Sequence, residues 1–185
     1  MGKFPIFFLL LALAALAAAL FGAAHNQLSY SVGPTYFTEF KFDQFQITEG
    51  TPNRLGASIV GVQASWWMGP IIGLPAFLYG LFAVPKARTY LAAGLGAIFL
   101  VVLLTTFGAL TGLVGGLVAD NTGLLDPYLT FRDGPTRSDF LRAGFMHDAS
   151  YLGGALGLIA AFFPMRRARK IDHHNAHQEA PHAAT

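Results

Sequence analysis

Three ionisable residues near the start of the last apolar segment have types that could support chemistry. Arg142, His147 and Asp148 lie within residues 140–151, and the largely apolar stretch that follows, residues 149–163, has only 15 residues. At 1.5 Å per residue, that stretch is shorter than the roughly 30 Å of a hydrocarbon core. A helix crossing the bilayer must therefore draw His147 and Asp148 below the lipid surface, where ionisable groups usually face the protein interior.

A metal site is one interpretation of these residues. His25 closes the first apolar segment at the same predicted level, so it could meet His147 and Asp148. Imidazole nitrogens and carboxylate oxygens are ligands that Zn and Cu accept, and Glu39 or Asp43 could complete the set. Two alternatives stay open, because the same side chains could simply hydrogen-bond neighbouring helices or could line a proton or substrate path.

We also expect several polar side chains to be buried inside the protein. They are Arg142, His147, Asp148, Tyr151 and Gln63. His147 and Tyr151 lie one helical turn apart on one face, whereas Asp148 lies about 100° away. The neighbouring Trp66 and Trp67 are typical of an interfacial anchor or a packing element.

The segment between the first two apolar runs, residues 25–57, is rich in aromatic residues. Around residues 40–43 apolar and polar residues alternate with a period of two, which is typical of a strand. We therefore predict a short β-like loop, or an ordered cap, on the outer side of the membrane. Its aromatic side chains form a docking surface for another protein or fold inward over the helices. They are Tyr36, Phe37, Phe40, Phe42 and Phe45.

The elements that position these residues follow from composition. The chain of 185 residues is 54% hydrophobic and 12% charged, against roughly 25% charged in an average soluble domain. We predict an all-α membrane protein with four transmembrane helices and a second outer loop at 119–138. The helices are expected at residues 4–24, 58–84, 91–118 and 139–163. The first run also resembles a signal peptide, but its length favours a retained helix.

Charge predicts the orientation of this bundle. With Lys3, Lys86, Arg88 and residues 166–170 on one side, that side carries seven basic and two acidic residues, and the other carries five basic and eight acidic residues. The positive-inside rule then places both termini in the cytoplasm. The His-rich tail, residues 171–185, has almost no core-forming residues, so we expect it to be disordered.

Glycines recur four residues apart in the apolar segments. The pairs and triplets are Gly69 with Gly73, Gly108 with Gly112 and Gly116, and Gly153 with Gly157. This spacing favours close helix packing, within the bundle or with another subunit. Gly69–Pro70 and Pro75 predict kinks in the second helix.

The function must be argued largely by exclusion. The net charge of +2 is dispersed and argues against nucleic acid, and the chain has no cysteine for disulfides or thiolate chemistry. We predict a non-catalytic accessory or assembly subunit in a bacterial inner membrane, with other membrane protein subunits, or a second copy, as partners. The alternatives are a metal- or cofactor-binding, oxidase-like protein using His25, His147 and Asp148, and a small oligomeric transporter or channel.

Overall fold

The chain folds as a bundle of long helices, seen in a computed structural model that describes residues 2–125 and 136–179. Four helical segments among these residues are long and apolar enough to cross a membrane, which confirms the prediction of four such helices. Their bounds are Lys3–Val32, Asn53–Ala83, Ala87–Thr122 and Arg137–Gln178. The described residues contain no strand, so this part of the chain is all-α.

Several of these segments are divided into shorter elements. In chain order they are α1 (Lys3–Val32), α2 (Pro34–Tyr36), a π-helical turn (Phe37–Lys41), α3 (Phe42–Gln44), α4 (Asn53–Ser65), α5 (Met68–Ala83), α6 (Ala87–Thr122), α7 (Arg137–Asp139), a second π-helical turn (Phe140–Gly144), α8 (Phe145–Ala160) and α9 (Phe162–Glu179). We call residues 34–44 the cap. Trp66 and Trp67 separate α4 from α5, so the second segment is broken near its middle.

The helices extend beyond the apolar runs that predicted them. The predicted helix 4–24 continues to Val32, 58–84 begins at Asn53, 91–118 becomes Ala87–Thr122, and the fourth segment begins at Arg137. The extension of α1 is stabilised by tertiary contacts, since Asn26 Nδ2 donates to the Ala57 carbonyl at 2.9 Å. Hydropathy marks the lipid-facing part of a helix and misses polar turns that are buried against other helices.

The prediction of a β-like loop is wrong, because the cap is helical. Tyr36 and Phe37 are adjacent in sequence, and both are buried, with 5% and 0% of their surface exposed. A strand would send neighbouring side chains to opposite faces. Burying both against Ala57 and Ala143 therefore favours a helical conformation over the alternating one.

The first and second segments form a close-packed antiparallel pair. Their backbones touch at small residues, where Gly61 lies against Gly22 and Gly69 lies against Ala14. A Cβ added at either glycine of α4 or α5 would collide with the backbone of α1. Close backbone approach of this kind is what holds helices together in lipid.

The third and fourth segments form a second such pair through glycines on both helices. Gly108, Gly112 and Gly116 of α6 lie against the backbone of Ala149, Phe145 and Leu141 respectively, and Gly153 lies against Leu104. The order of these contacts makes α6 and α8 antiparallel. The glycine series of α6 and that of α8 therefore pack against each other inside this chain rather than leaving an open face.

The two pairs meet at one end of the bundle through a large apolar core. Leu10, Phe77, Tyr90 and Met165 are almost completely buried there. The Tyr90 hydroxyl donates to the Phe77 carbonyl at 3.0 Å, so this core leaves its polar atom satisfied. We call this end of the bundle, which carries the connection at residues 84–86, the base.

Hydrogen bonds to helix ends complete the base. Lys3 Nζ donates to the Leu81 carbonyl at 2.7 Å, near the end of α5, and Asp172 accepts from the Lys86 backbone N–H at 2.8 Å and from the Thr89 hydroxyl at 2.8 Å. A cation at a helix C-terminus and an anion at a helix N-terminus both complement the helix dipole. These contacts fasten the first and fourth segments to the hairpin between α5 and α6.

The C-terminal region differs from the predicted disordered tail. Helix α9 runs through Glu179, and Asp172 anchors it with only 2% of its surface exposed. Asp172 caps the neighbouring helix α6, and this contact stabilises the polar segment as a helix. The composition of the segment does not reveal such a contact. Residues 126–135 of the predicted outer loop and residues 180–185, with His182, lie outside the described part of the chain.

Candidate functional site

An apolar cavity lies between the two helix pairs, below the cap. Its volume is about 100 Å³, and all four long segments line it. Small and aliphatic side chains form most of its wall, among them Ala14, Ala18, Met68, Ile72, Val101 and Gly154. A cavity of roughly 150 Å³ can hold benzene, so this smaller one encloses part of a small ring or a short length of alkyl chain.

A pair of histidines forms the end of the cavity nearest the cap. The rings of His25 and His147 are in edge-to-face contact, with their centroids 4.6 Å apart and their planes at 89°. The two residues come from α1 and α8, and so from different helix pairs. The sequence placed them at one level of the bundle, and the structure brings them together.

His147 is held in place by the cap and by α1. Its ring stacks on Tyr36, with centroids 5.2 Å apart, and its Nε2 lies 3.3 Å from the Ser29 hydroxyl. Both partners are buried, with Ser29 fully enclosed. This environment fixes the orientation of the His147 ring, which in turn supports His25.

His25 has an unmet hydrogen-bonding requirement. The residue is 8% exposed, and its ring stacks on Phe21 and contributes to the cavity wall. Its Nε2 is buried and has no hydrogen-bond partner within residues 2–125 and 136–179. Leaving a buried polar atom unsatisfied costs about 1–3 kcal/mol. A polar group occupying the cavity would remove that cost, whether it donates or accepts.

Lys41 of the cap supplies a cation at the same end of the cavity. Its Nζ lies 4.7 Å from the centre of the Phe40 ring and donates to Gln44 Oε1 at 2.9 Å. Partial burial lowers the pKa of Lys41, and the nearby Asp148 carboxylate acts in the opposite direction. Burial also raises the pKa of Tyr36, so its phenol stays protonated. Sequence reasoning did not single out Lys41, since only the fold of the cap turns it toward the bundle.

The predicted three-residue metal site is not assembled. Asp148 is exposed, because one helical step of about 100° separates it from the buried face that carries His147. Glu39 and Asp43 are exposed as well. Across residues 2–125 and 136–179, no group of three or more His, Cys, Asp or Glu side chains lies close enough to hold a metal ion.

The other polar residues that the sequence predicts to be buried differ in how exposed they are. His147 is buried, but Tyr151 is 46% exposed and Gln63 lies on the outer face of α4. The Arg142 side chain is 36% exposed and forms an ion pair with Asp120 at 2.6 Å. The length argument correctly identified the polar start of the fourth segment, but it could not say which helical face turns inward.

Asp120 is the centre of a polar network that sequence reasoning missed. Its side chain, 7% exposed, binds Arg137 at 2.8 Å as well as Arg142, and it accepts a hydrogen bond from Ser138 at 2.7 Å. This network joins the end of α6 to the start of the fourth segment. The available signal was a lone acidic residue at the end of one apolar run and two arginines at the start of the next.

The aromatic docking surface is mostly turned inward. Tyr36 and Phe37 are buried, Phe42 and Phe45 are half-buried, and Phe40 is 40% exposed. Of the two alternatives that the sequence left open, inward folding describes Tyr36 and Phe37. The cap therefore serves mainly as a lid on the histidine pair and the cavity.

Comparisons with protein families, with characterised proteins and with solved structures find no match for this chain. The function must therefore be argued from the site itself.

Proposed function

We propose that this protein binds a small lipid-soluble molecule, with an apolar body and one polar group, in the cavity between its helix pairs. The apolar body occupies the space lined by α1, α5, α6 and α8, and the polar group hydrogen-bonds His25. The observation that carries the proposal is that His25 lines the cavity and that its buried Nε2 has no hydrogen-bond partner among the described residues. This retains the cofactor-binding alternative from the sequence and drops its metal.

The charge distribution supports a position for this binding site near the outer leaflet of the membrane. Placing the cap on the outer side of a bacterial inner membrane puts both termini in the cytoplasm. The histidine end of the cavity then lies near the outer leaflet, beneath Lys41. A lipid-soluble ligand can reach such a site sideways from the bilayer, so a passage through the water-exposed cap is not required.

The other interpretations receive less support from the geometry. A transport path would have to continue through the base, where Leu10, Phe77, Tyr90 and Met165 are tightly packed. The accessory-subunit interpretation relied partly on the aromatic cap, and two of its five residues are buried. Binding within the cavity requires neither a second opening nor an exposed cap.

A pair of matched probes tests the proposal. We would measure binding of 4-fluorobenzyl alcohol and 4-fluorotoluene to the protein in lipid nanodiscs by ¹⁹F NMR. The two probes share a ring, but only the alcohol can hydrogen-bond His25. A net hydrogen bond is worth about 0.5–1.5 kcal/mol, so we expect the alcohol to bind roughly 2- to 12-fold more tightly. His25→Phe should abolish that preference.

A cavity-filling variant provides the control for partition into lipid. Gly154 faces the cavity with room beyond it, so Gly154→Leu should fill the space and weaken both probes. Gly96 also has open surroundings, with Pro164 Cβ at 3.8 Å, but it lies away from the cavity. Gly96→Leu should leave both affinities unchanged. Equal binding to the wild-type protein and to Gly154→Leu would refute the proposal.

A further inference from the structure

Gln63 presents a carboxamide on the outer face of the bundle at the depth of the hydrocarbon layer. The side chain is exposed, and the described part of the chain offers it no hydrogen-bond partner. Its depth follows from its neighbours, since Gly61 packs on Gly22 and Gly69 packs on Ala14. Both contacts on α1 lie within the apolar run that spans the lipid.

Two further polar groups lie beside Gln63. Trp66 and Trp67, three and four residues later, are 53% and 45% exposed, and each carries an indole N–H without a partner among the described residues. Three and four residues are the spacings that place side chains on one helical face. Pro70 has no N–H to donate to the Trp66 carbonyl, so the backbone at the break is also short of one helical hydrogen bond.

Lipid cannot satisfy these groups. An unpaired polar group in hydrocarbon carries a penalty that drives polar side chains to seek partners on other helices. Thr106 is also exposed on an apolar segment, but its hydroxyl is satisfied, because it donates to the Val102 carbonyl of the same helix at 2.8 Å. The polar groups of Gln63, Trp66 and Trp67 have no such partner among the described residues. The second segment therefore carries a surface suited to another polar helix face.

We propose that the surface formed by Gln63 of α4 and by Trp66 and Trp67 at the break before α5 is a dimer interface that binds the same surface of a second copy of this chain. A carboxamide holds both a donor and an acceptor, so two Gln63 side chains related by a twofold axis complete each other. The flanking exposed residues Val62 and Ile71 are apolar and carry no charge that would call for an oppositely charged partner.

Cysteine cross-linking tests this arrangement without background, because the chain has no native cysteine. Val62→Cys keeps Gln63 and should form a disulfide-linked dimer when it is oxidised in native membranes. Phe107→Cys, on an exposed position of α6, is the matched control and should stay monomeric. Equal cross-linking at both positions would show random collision and overturn the proposal.

The contribution of the carboxamide is measured separately in lipid nanodiscs or liposomes. Gln63→Leu should weaken dimerisation about 3- to 30-fold, the range expected from measured hydrogen bonds between membrane helices. Thr106→Val removes a lipid-exposed hydroxyl that is already satisfied, so it should leave the dimerisation constant unchanged. An unchanged constant for Gln63→Leu, a protein that stays monomeric at all densities, or a different membrane protein linked to Val62→Cys in place of a second copy would each overturn the inference.

This interface and the cavity can fail independently. Gln63 does not line the cavity, so Gln63→Leu should leave binding of 4-fluorobenzyl alcohol unaltered. Gly154→Leu, in turn, should leave dimerisation unaltered.

Discussion

The interfaces within the two helix pairs differ sharply from the cavity at the centre of the space between the pairs. Within the pairs, backbone lies against backbone at Gly61, Gly69, Gly108 and Gly112, and no side chain could be added. Between them, a Cβ added at Gly154 would lie 3.4 Å from Ile72, an ordinary contact, and a cavity of about 100 Å³ remains beyond it. Both regions lie inside the same bundle and have the same surroundings. The difference in packing therefore comes from the residues at each place.

This difference separates the residues that hold the fold from those that serve the site. In lipid, helices associate through close packing and polar contacts, because burying apolar surface brings little gain. The glycine interfaces supply the close packing. The space between the pairs can then remain open at its centre, since the close packing of side chains in the base and a few hydrogen bonds near the cap keep the pairs together.

The largest effect should come from adding one methyl group within a pair. Gly112→Ala would force a Cβ against the backbone carbonyl of Phe145, which cannot move without shifting α8. We expect a loss of roughly 3 kcal/mol in the free energy of unfolding, at the upper part of the usual range for overpacking. Unfolding in mixed micelles, followed by circular dichroism, would measure it.

The same substitution between the pairs is the control. Gly154→Ala should leave the free energy of unfolding unchanged or raise it by up to about 1 kcal/mol, because alanine favours the helix and space is available. Equal losses for the two variants would mean that the pairs and the space between them are packed alike, contrary to the comparison.

The polar network at Asp120 should have the next largest effect, since it ties α6 to the fourth segment. Asp120→Asn leaves Arg137 and Arg142 without their shared carboxylate. Hydrogen bonds to charged groups are worth about 1.5–3 kcal/mol, and partial exposure of both arginines places the expected loss near 2 kcal/mol. Asp43→Asn, at an exposed position of the cap, should change stability by less than about 0.5 kcal/mol.

A smaller effect should follow from a contact that bridges the two pairs. Asp139 accepts hydrogen bonds from the Thr35 backbone N–H at 2.7 Å and from its hydroxyl at 2.8 Å. Asp139→Asn should cost about 1 kcal/mol. A double-mutant cycle with Thr35→Val should give a positive coupling energy, and additive losses would show that this bridge contributes nothing of its own.

The four helices could be predicted from the sequence because hydropathy and length respond to the lipid directly. Their polar ends could not be predicted, since the stabilising hydrogen bonds of Asn26 and Asp172 go to partners distant in sequence, Ala57 and Lys86. Of the two predictions for the cap, the β-like loop rests on a local alternation of polar and apolar residues, and such a pattern does not report the need to bury two adjacent aromatic residues.

The candidate site was likewise only partly predictable. The shortness of the last apolar run indicated that His147 lies within the bundle, and the end of the first run placed His25 at the same level. Whether Asp148 would join them depended on a rotation of about 100° around α8, which the sequence of this segment alone did not determine. The cavity depends on small residues contributed by four segments, and no local pattern marks such a space.

The smallest expected effect on stability distinguishes a residue that serves binding from one that serves the fold. His25→Phe keeps an aromatic ring beside Phe21 and removes the unpartnered Nε2, so the free energy of unfolding without ligand should stay the same or rise by up to about 1 kcal/mol. Its neighbour Asn26 is also buried but donates to the Ala57 carbonyl, so Asn26→Leu should lower stability by about 1–2 kcal/mol. Both variants are measured in the same mixed micelles, with probe binding as a second readout. A loss in His25→Phe as large as that in Asn26→Leu would mean that His25 is needed for the bundle itself, and the case for a ligand at its Nε2 would fall.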